Sequence, residues 1–447
     1  DSRKGIFFID AKDGYMKDGA KNRLREQDIK RIVDAWEAQR AIPHFCRLVE
    51  WSEIESEKND YNLNIPRYIQ PEDNEIQHDI AAHLHGGLPA ADIDRMGVYW
   101  QACPSLRVSL FSDDGSGYYA LKPSREDIGA TIDHDPSYKR QGEAFAAMLG
   151  QWRDEIAPQM RAVGQGASPK ALIACWSESL LLKAESHRGL VDAYETYDVL
   201  LNYWAETMQD DCYMIANDGW TYPEVKAVKR RETTDKKTRA VKVKESACMY
   251  DEIVCDLLPI HIVLEEYFAA ETNAISDLLA EIEGTQSEMD ELVEQYAEVF
   301  SLGDDDGEEK TLGVKAADVK KAIKNAKTAG ISAAEVKILK QWLALSQKKQ
   351  TLCKEREQKR SELTDAVVAR YASLSEDDIK TLVVERKWLS SVVGRCEALM
   401  QSVTHRIATD VATLAERYED TMQALEQNLA RYEKEVGEYL KEMGFTL

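Results

Sequence analysis

A seven-residue apolar repeat in the last third of the chain strongly limits what this sequence can fold into. One series recurs at Ile275, Ile282, Met289 and Tyr296, and a second series lies three positions behind it at Leu278, Thr285, Leu292 and Val299. Spacing of this kind keeps one face of a long helix apolar, so it predicts lengthwise packing against another helix.

The final helix of the sequence carries the same repeat. Its first series is Val411, Tyr418, Leu425, Tyr432 and Tyr439, and its second is Ala415, Met422, Leu429, Val436 and Met443. We predict one continuous helix over these positions, with a large, adaptable apolar face rich in tyrosine and methionine.

The charges beside the first repeat predict how its helix pairs. Residues 271–309 contain fourteen Asp or Glu and no Lys or Arg, whereas residues 310–360 contain fourteen Lys or Arg and four acids. Opposite charges beside an apolar face favour pairing of the two segments, because helices of like sign repel. We therefore predict an antiparallel helical hairpin, or coiled coil, between them. A compact, solvated bundle with no partner is the alternative.

Length and pattern together predict a mainly α protein of about three units. Residues 1–75 have an α/β pattern, with a strand at Ile6–Ile9, a helix near Arg25–Gln39 and a second short strand at Arg47–Val49. Residues 76–260 are mostly helical, with a basic β-ribbon at 212–245. Residues 261–447 are helical throughout.

The ribbon concentrates positive charge in a chain whose net charge is −23. That net charge argues against sequence-independent nucleic-acid binding by the molecule as a whole. A two-stranded ribbon nevertheless fits a DNA groove, and cations beside phosphates release counterions. The candidate DNA-binding residues are Lys226, Lys229, Arg230, Arg231, Lys236, Lys237, Arg239, Lys242 and Lys244. A solvated surface hairpin is the alternative.

Two local motifs resemble chemical sites only superficially. His78, His83 and His85 lie near Asp79, but their spacing matches no common metal site, so we expect surface histidines and no metal. The stretch Asp113–Gly117 resembles a phosphate-binding loop, yet no apolar helix follows it, and we expect a plain turn. The eight cysteines form no CxxC pair, which favours reduced thiols and a cytoplasmic protein.

Several stretches together resemble the modification (methyltransferase) subunit of type I restriction-modification systems. They are RKGIFFIDA, NRLREQDIKRIV, DYNLNIPRYI, YWAETMQDDCY and DDIKTLVVERKWL. The resemblance implies that residues 1–75 are the remnant α/β edge of a methyltransferase domain. Members of this family methylate adenine N6 in DNA and use S-adenosylmethionine, so that cofactor is expected for a full-length member.

The catalytic Asn-Pro-Pro-Phe or Asn-Pro-Pro-Tyr motif of that family does not occur here, because the sequence contains no Asn-Pro and no Pro-Pro pair. We therefore assign no catalytic and no cofactor-binding residue. We expect a C-terminal portion of such a subunit that is not catalytically competent alone, since a flipped adenine needs a closed pocket.

The resemblance also implies partners: the specificity subunit, the restriction subunit and double-stranded DNA, with no membrane association. The candidate docking residues are Val411, Tyr418, Met422, Leu425, Leu429, Tyr432, Val436 and Tyr439. A coiled-coil interaction or scaffold protein unrelated to methylation is the alternative that the sequence leaves open.

Overall fold

The computed structural model describes residues 4–70, 78–113, 115–221, 225, 228–234, 241–247, 249–300, 314–327 and 331–443. The described residues are mainly helical, as predicted. The strands are β1 (Gly5–Ile9), β2 (Met16–Asp18), β3 (Lys21–Arg23), β4 (Cys46–Glu50), β5 (Leu88–Pro89), β6 (Phe111–Asp113), β7 (Tyr118–Leu121), β8 (Val228–Thr234) and β9 (Val241–Ala247).

The helices of the first half are α1 (Glu26–Ala38), α2 (Trp51–Ile54), α3 (Ile80–His85), α4 (Ala90–Arg95), α5 (Gly97–Ala102), α6 (Pro104–Leu110), α7 (Ile128–His134), α8 (Pro136–Arg161), α9 (Pro169–His187), α10 (Ala193–Tyr203) and α11 (Gln209–Asp218). Those of the second half are α12 (Ile260–Tyr267), α13 (Ala269–Gln295), α14 (Ala297–Phe300), α15 (Ala316–Asn325), α16 (Ala333–Ser373), α17 (Glu376–Lys380), α18 (Ser390–Arg417) and α19 (Met422–Glu442). Short 3-10 turns lie at Ile65–Arg67 and Tyr250–Glu252, and π-helical turns lie at Trp204–Met208 and Thr381–Leu389.

The chain divides into two compact units. Residues 1–219 and 388–447 form the first unit, and residues 220–387 form the second. The last helices join the first unit because α18 packs against α7, α8 and α10.

The N-terminal segment has the predicted α/β pattern. Strands β1 and β4 pair in antiparallel register, with Phe7 opposite Leu48. Helix α1 begins at a capping arrangement in which the backbone and side chain of Arg25 both donate to Asp28 at 2.9 Å. Burial alone would raise the pKa of Asp28, but these bonds outweigh it and hold that pKa below its usual value.

The core of the first unit is built from long helices and large aromatic side chains. Helix α8 begins where the buried Asp135 accepts hydrogen bonds from the backbone of Ser137 and Tyr138. Trp176 and Trp388, both fully buried, have ring centroids 6.2 Å apart. These contacts join helices that lie far apart in the sequence.

One part of the secondary-structure prediction is wrong. Residues 212–220 were expected to form a short strand, but helix α11 extends to Asp218 and ends at Gly219, whose φ is +78°. Cys212 and Ile215 are both buried, a spacing of three that suits a helix. The ribbon strands therefore begin only at Val228, with β8 and β9 paired in antiparallel register.

The second unit contains the predicted antiparallel helical hairpin, formed by α13 and α16. Ile275, near the start of α13, lines the same cavity as Leu363 in the last third of α16. Met289, near the end of α13, belongs to the same apolar cluster as Leu339. Between them Lys348 pairs with Glu281 at 2.7 Å, so opposite charges flank the apolar contact as expected.

No helix in the described part of the chain is long and apolar enough to span a membrane. The structure shows no disulfide among the described cysteines.

Candidate docking surface

The first part of the final apolar repeat lies in helix α18, where it packs against other helices of the same unit. Val411 is fully buried, and the helix is fixed by polar contacts to earlier helices. The Tyr138 hydroxyl donates to the Met400 carbonyl at 2.8 Å, and Arg406 pairs with Glu195 at 2.8 Å. This part of the repeat already has its partner in the same chain.

The repeat does not continue in one helix, which corrects the prediction. Tyr418 leaves the helical conformation with φ −113° and is buried. Its hydroxyl donates to Asp92 at 2.7 Å and accepts from the backbone N–H of Asp79 at 3.2 Å. The pKa of Tyr418 is raised, mainly by burial, with Asp92 adding to the rise. These contacts hold the chain in a turn where the sequence pattern alone favours a helix.

Thr421 starts a new helix after this turn. Its side chain accepts a hydrogen bond from the Ala424 backbone at 3.1 Å, which is the usual role of an N-cap threonine. We did not single out Thr421 from the sequence, although a threonine that precedes an apolar repeat is a helix-start signal. This helix-start signal was missed because the seven-residue apolar spacing continues unchanged on both sides of Thr421.

Helix α19 presents the second part of the repeat to solvent. Six of its large apolar side chains are exposed, from 49% at Leu425 to 65% at Tyr439. We call them the α19 stripe: Met422, Leu425, Leu429, Tyr432, Val436 and Tyr439. At 100° per residue these positions share one side of the helix.

Acidic side chains lie along the stripe. Glu426 and Glu433 lie beside one edge at helical spacing. Glu435 lies beside the other edge, 3.9 Å from Arg431, whose guanidinium is 4.9 Å from the centroid of the Tyr432 ring. A complementary surface would therefore be apolar along its centre and basic along the edge that faces Glu426 and Glu433.

The predicted docking residues thus separate into two groups. The α19 stripe is exposed, whereas Val411 and Tyr418 are buried against residues of this chain and are not available to a partner. They were included because the sequence repeat is identical on both sides of the turn.

The candidate DNA-binding residues lie partly outside the described residues, namely Lys226, Lys236, Lys237 and Arg239. The backbone register of β8 and β9 sorts the others. Lys229, Arg231, Lys242 and Lys244 occupy positions on one face of the ribbon, because paired residues and alternate residues share a face. Arg230 occupies the other face, opposite Glu245.

Two residues of the histidine motif are brought together. His83 Nε2 and His78 Nδ1 are 2.9 Å apart and share one hydrogen bond. No group of three or more His, Cys, Asp or Glu residues that could hold a metal ion occurs in the described part of the chain. The glycine-rich motif lies in the sequence between β6 and β7, which pair in antiparallel register.

Comparison with known proteins identifies relatives of the N-terminal segment. Residues 1–77 match the family model described as N-6 DNA Methylase. The type I restriction enzyme MjaVIII methylase subunit of Methanocaldococcus jannaschii is 38% identical over 82 residues, which are 17% of this chain and 14% of that protein. The MpnII methylase subunit of Mycoplasma pneumoniae is 28% identical over 85 residues, 19% of this chain and 15% of that protein.

The matches therefore span only about one seventh of the length of these curated relatives. No solved structure matches the chain significantly. The resemblance to type I methylase subunits is confirmed for the N-terminal part of the chain.

Proposed function

From the match of residues 1–77 to N-6 DNA methylases, we propose that this chain is the C-terminal, assembly portion of a type I adenine-N6 DNA methylase subunit. In this proposal the α19 stripe docks onto helices of a cytoplasmic specificity subunit, and the restriction subunit joins the same complex. Methyl transfer from S-adenosylmethionine requires the catalytic motif that this sequence lacks, so the chain is not competent alone.

The observation that carries the proposal is the exposure of six large apolar side chains on one 21-residue helix. A helix of this length spans about 32 Å and gains most of its stability from packing an apolar face. Anchors at helical spacing are the usual means by which one helix docks onto another. Glutamates beside the stripe favour partner helices that carry Lys or Arg at their edges.

The test is co-purification of the full chain with a tagged type I specificity subunit from the same organism. Leu425→Asp with Leu429→Asp should abolish co-purification, because two charges would be buried without partners. The matched control is Gln427→Asp with Ala430→Asp, which adds the same charge to exposed positions outside the stripe. Circular dichroism checks that both double variants keep the helical content of the parent chain.

Retention of the specificity subunit by the Leu425→Asp, Leu429→Asp variant would contradict the proposal. Equal loss in both variants would also contradict it, since the effect would then come from charge or helix stability and not from the stripe.

A second function is supported by the register of the ribbon. We infer that Lys229, Arg231, Lys242 and Lys244 contact the phosphate backbone of the DNA that the complex binds. Four cationic positions on one face of a two-stranded ribbon create a local positive field in an acidic chain.

Neighbouring arginines on opposite faces provide the test. Arg231→Glu should weaken binding of a 30-base-pair duplex to the complex and lower the slope of log K against log salt by about one or more. Arg230→Glu makes the same change in charge at the next residue, but on the other face, and should have a smaller effect. Equal effects of the two variants would contradict backbone contact by this face.

A further inference from the structure

Much of the positive charge that follows the acidic helix in the sequence is not used to pair the two helices of the hairpin. Lys348 pairs with Glu281 across the hairpin, well inside α16. Seven lysines between residues 315 and 340 are instead exposed, and none of them forms an ion pair with a residue that the structure describes. We call them the α15–α16 lysines: Lys315, Lys320, Lys321, Lys324, Lys327, Lys337 and Lys340.

Packing within the second unit fixes the direction of the lysines on α15. Val319 is fully buried and Ile323 is half-buried, and both pack in the apolar cluster that contains Leu339 of α16. At 100° per residue, the opposite side of α15 carries its lysines. They are Lys320, Lys321 and Lys324. This side of α15 therefore faces solvent as a consequence of the core beneath it.

The first turns of α16 continue the positive surface. The backbone N–H of Ser332 donates to the Glu335 carboxylate at 2.7 Å, and the Glu335 N–H donates back to the Ser332 hydroxyl at 3.3 Å. The carboxylate of Glu335 is thus used to cap the helix. Ala333, Lys337 and Lys340 are exposed at the spacing i, i+4 and i+7, so they share one side of the helix.

This surface carries charge without large apolar anchors. Throughout the described parts of α15 and α16, no large apolar side chain is exposed. A protein partner normally buries aromatic or aliphatic anchors, and a single-stranded nucleic acid normally stacks its bases on aromatic side chains. The phosphate backbone of a duplex needs neither, because lysines alone bind it and release its counterions. The exposed residues therefore favour a duplex over the other polyanions.

We propose that the α15–α16 lysines form a second contact with the phosphate backbone of duplex DNA, in addition to the contact inferred for the β8–β9 ribbon. The choice of DNA over duplex RNA rests on the proposed function. The acidic helix α13 repels the same phosphates, which favours an approach of the duplex from the lysine side. Each lysine that meets a phosphate contributes about 0.9 to the slope of log K against log salt.

The test measures binding of the full chain to a labelled 30-base-pair DNA duplex by fluorescence anisotropy, at salt concentrations from about 50 to about 200 mM. Lys320→Gln with Lys324→Gln should weaken binding about tenfold and lower the salt slope by about two. The matched control is Lys139→Gln with Lys170→Gln, which removes the same charge at exposed helical positions of the first unit. It should leave the slope unchanged, and circular dichroism checks that both variants keep the helical content of the parent chain.

An unchanged slope in Lys320→Gln with Lys324→Gln, or an equal decrease in the control pair, would overturn the inference. Tighter binding of a duplex RNA or of a single strand of the same length would also overturn it, since the surface would then belong to another nucleic acid. Light scattering on the full chain tests a further occupant. A dimer that Lys320→Gln with Lys324→Gln dissociates would assign the lysines to an acidic surface of a second copy.

This inference and the proposed function fail separately. Adding Arg231→Glu to the α15 pair should lower the slope by the sum of the two effects, because independent contacts add. A combined variant with no greater effect than Arg231→Glu alone would contradict a second contact. The α15 pair should still co-purify with the specificity subunit, so unchanged DNA binding in that variant removes only this inference. Failure of the parent chain to co-purify bears on the assembly function instead.

Discussion

Helices α18 and α19 carry the same seven-residue apolar repeat in the same phase, yet one is buried and the other is exposed. Val411 and Leu414 of α18 are buried, whereas Leu425 and Leu429 of α19 are about half exposed. The difference arises at Tyr418, where the chain leaves the helix and turns. A heptad repeat thus shows that a helix has an apolar face, but not whether the partner of that face is in the same chain.

The two helices differ in what surrounds them, and this explains the outcome. Helix α18 packs against α7, α8 and α10 of the same unit. Helix α19 contacts α3 near its start, and its later turns present their apolar side chains to solvent. The same side chains therefore stabilise the fold in one helix and remain available for binding in the other.

The sharpest test of this comparison places one substitution in each helix. Val411→Asp should lower the free energy of unfolding by about 4 kcal/mol or more, because an ionised carboxylate would replace a fully buried side chain. Val436→Asp, at a position that is 54% exposed, should change it by less than about 1 kcal/mol. Urea unfolding followed by circular dichroism measures both values, and similar losses would remove the distinction.

The turn between the helices provides a second test. Tyr418→Phe removes the hydroxyl that donates to Asp92 and should cost about 1–2 kcal/mol, because a buried carboxylate loses a hydrogen bond. Tyr439→Phe, in the exposed stripe, should cost almost nothing. A Tyr418→Phe variant as stable as the parent chain would mean that the turn does not depend on this bond.

The raised pKa of Tyr418 should also make the free energy of unfolding depend on pH. Burial, reinforced by Asp92, raises the pKa of Tyr418 in the folded state above its ordinary value of 10.0. The folded chain then retains a proton that the unfolded chain loses, so stability is fully present below about pH 10 and falls as the pH rises above it. In Tyr418→Phe this part of the alkaline loss should be absent, which unfolding measurements between pH 8 and pH 11 would check.

The sequence predicted those parts of the fold whose signals are local or strongly periodic. The pairing of α13 with α16 followed from an apolar repeat and a reversal of charge, and Lys348 with Glu281 confirms it. The strand at β1 and the helix α1 were recognised from their patterns. Residues 212–220 were assigned wrongly, because the partners that bury Cys212 and Ile215 lie elsewhere in the chain.

The candidate docking surface was predicted only in part for the same physical reason. The apolar repeat indicated the exposed stripe, but it also included Val411 and Tyr418, whose burial depends on residues as distant as Asp92. Exposure is a property of the assembled fold and not of the repeat.

The smallest effect in this comparison is expected at the first turn of α19. Thr421→Ala removes the N-cap and should cost about 1 kcal/mol of local stability, because the Ala424 N–H loses its acceptor. Since α19 contributes little buried surface, this loss should appear as faster hydrogen exchange over the first two turns of the helix, with global unfolding nearly unchanged. Thr421→Ser keeps the acceptor and should restore slow exchange. Faster exchange that extends back into α18 would show that the two helices unfold together, and would contradict their separation into a buried helix and an exposed one.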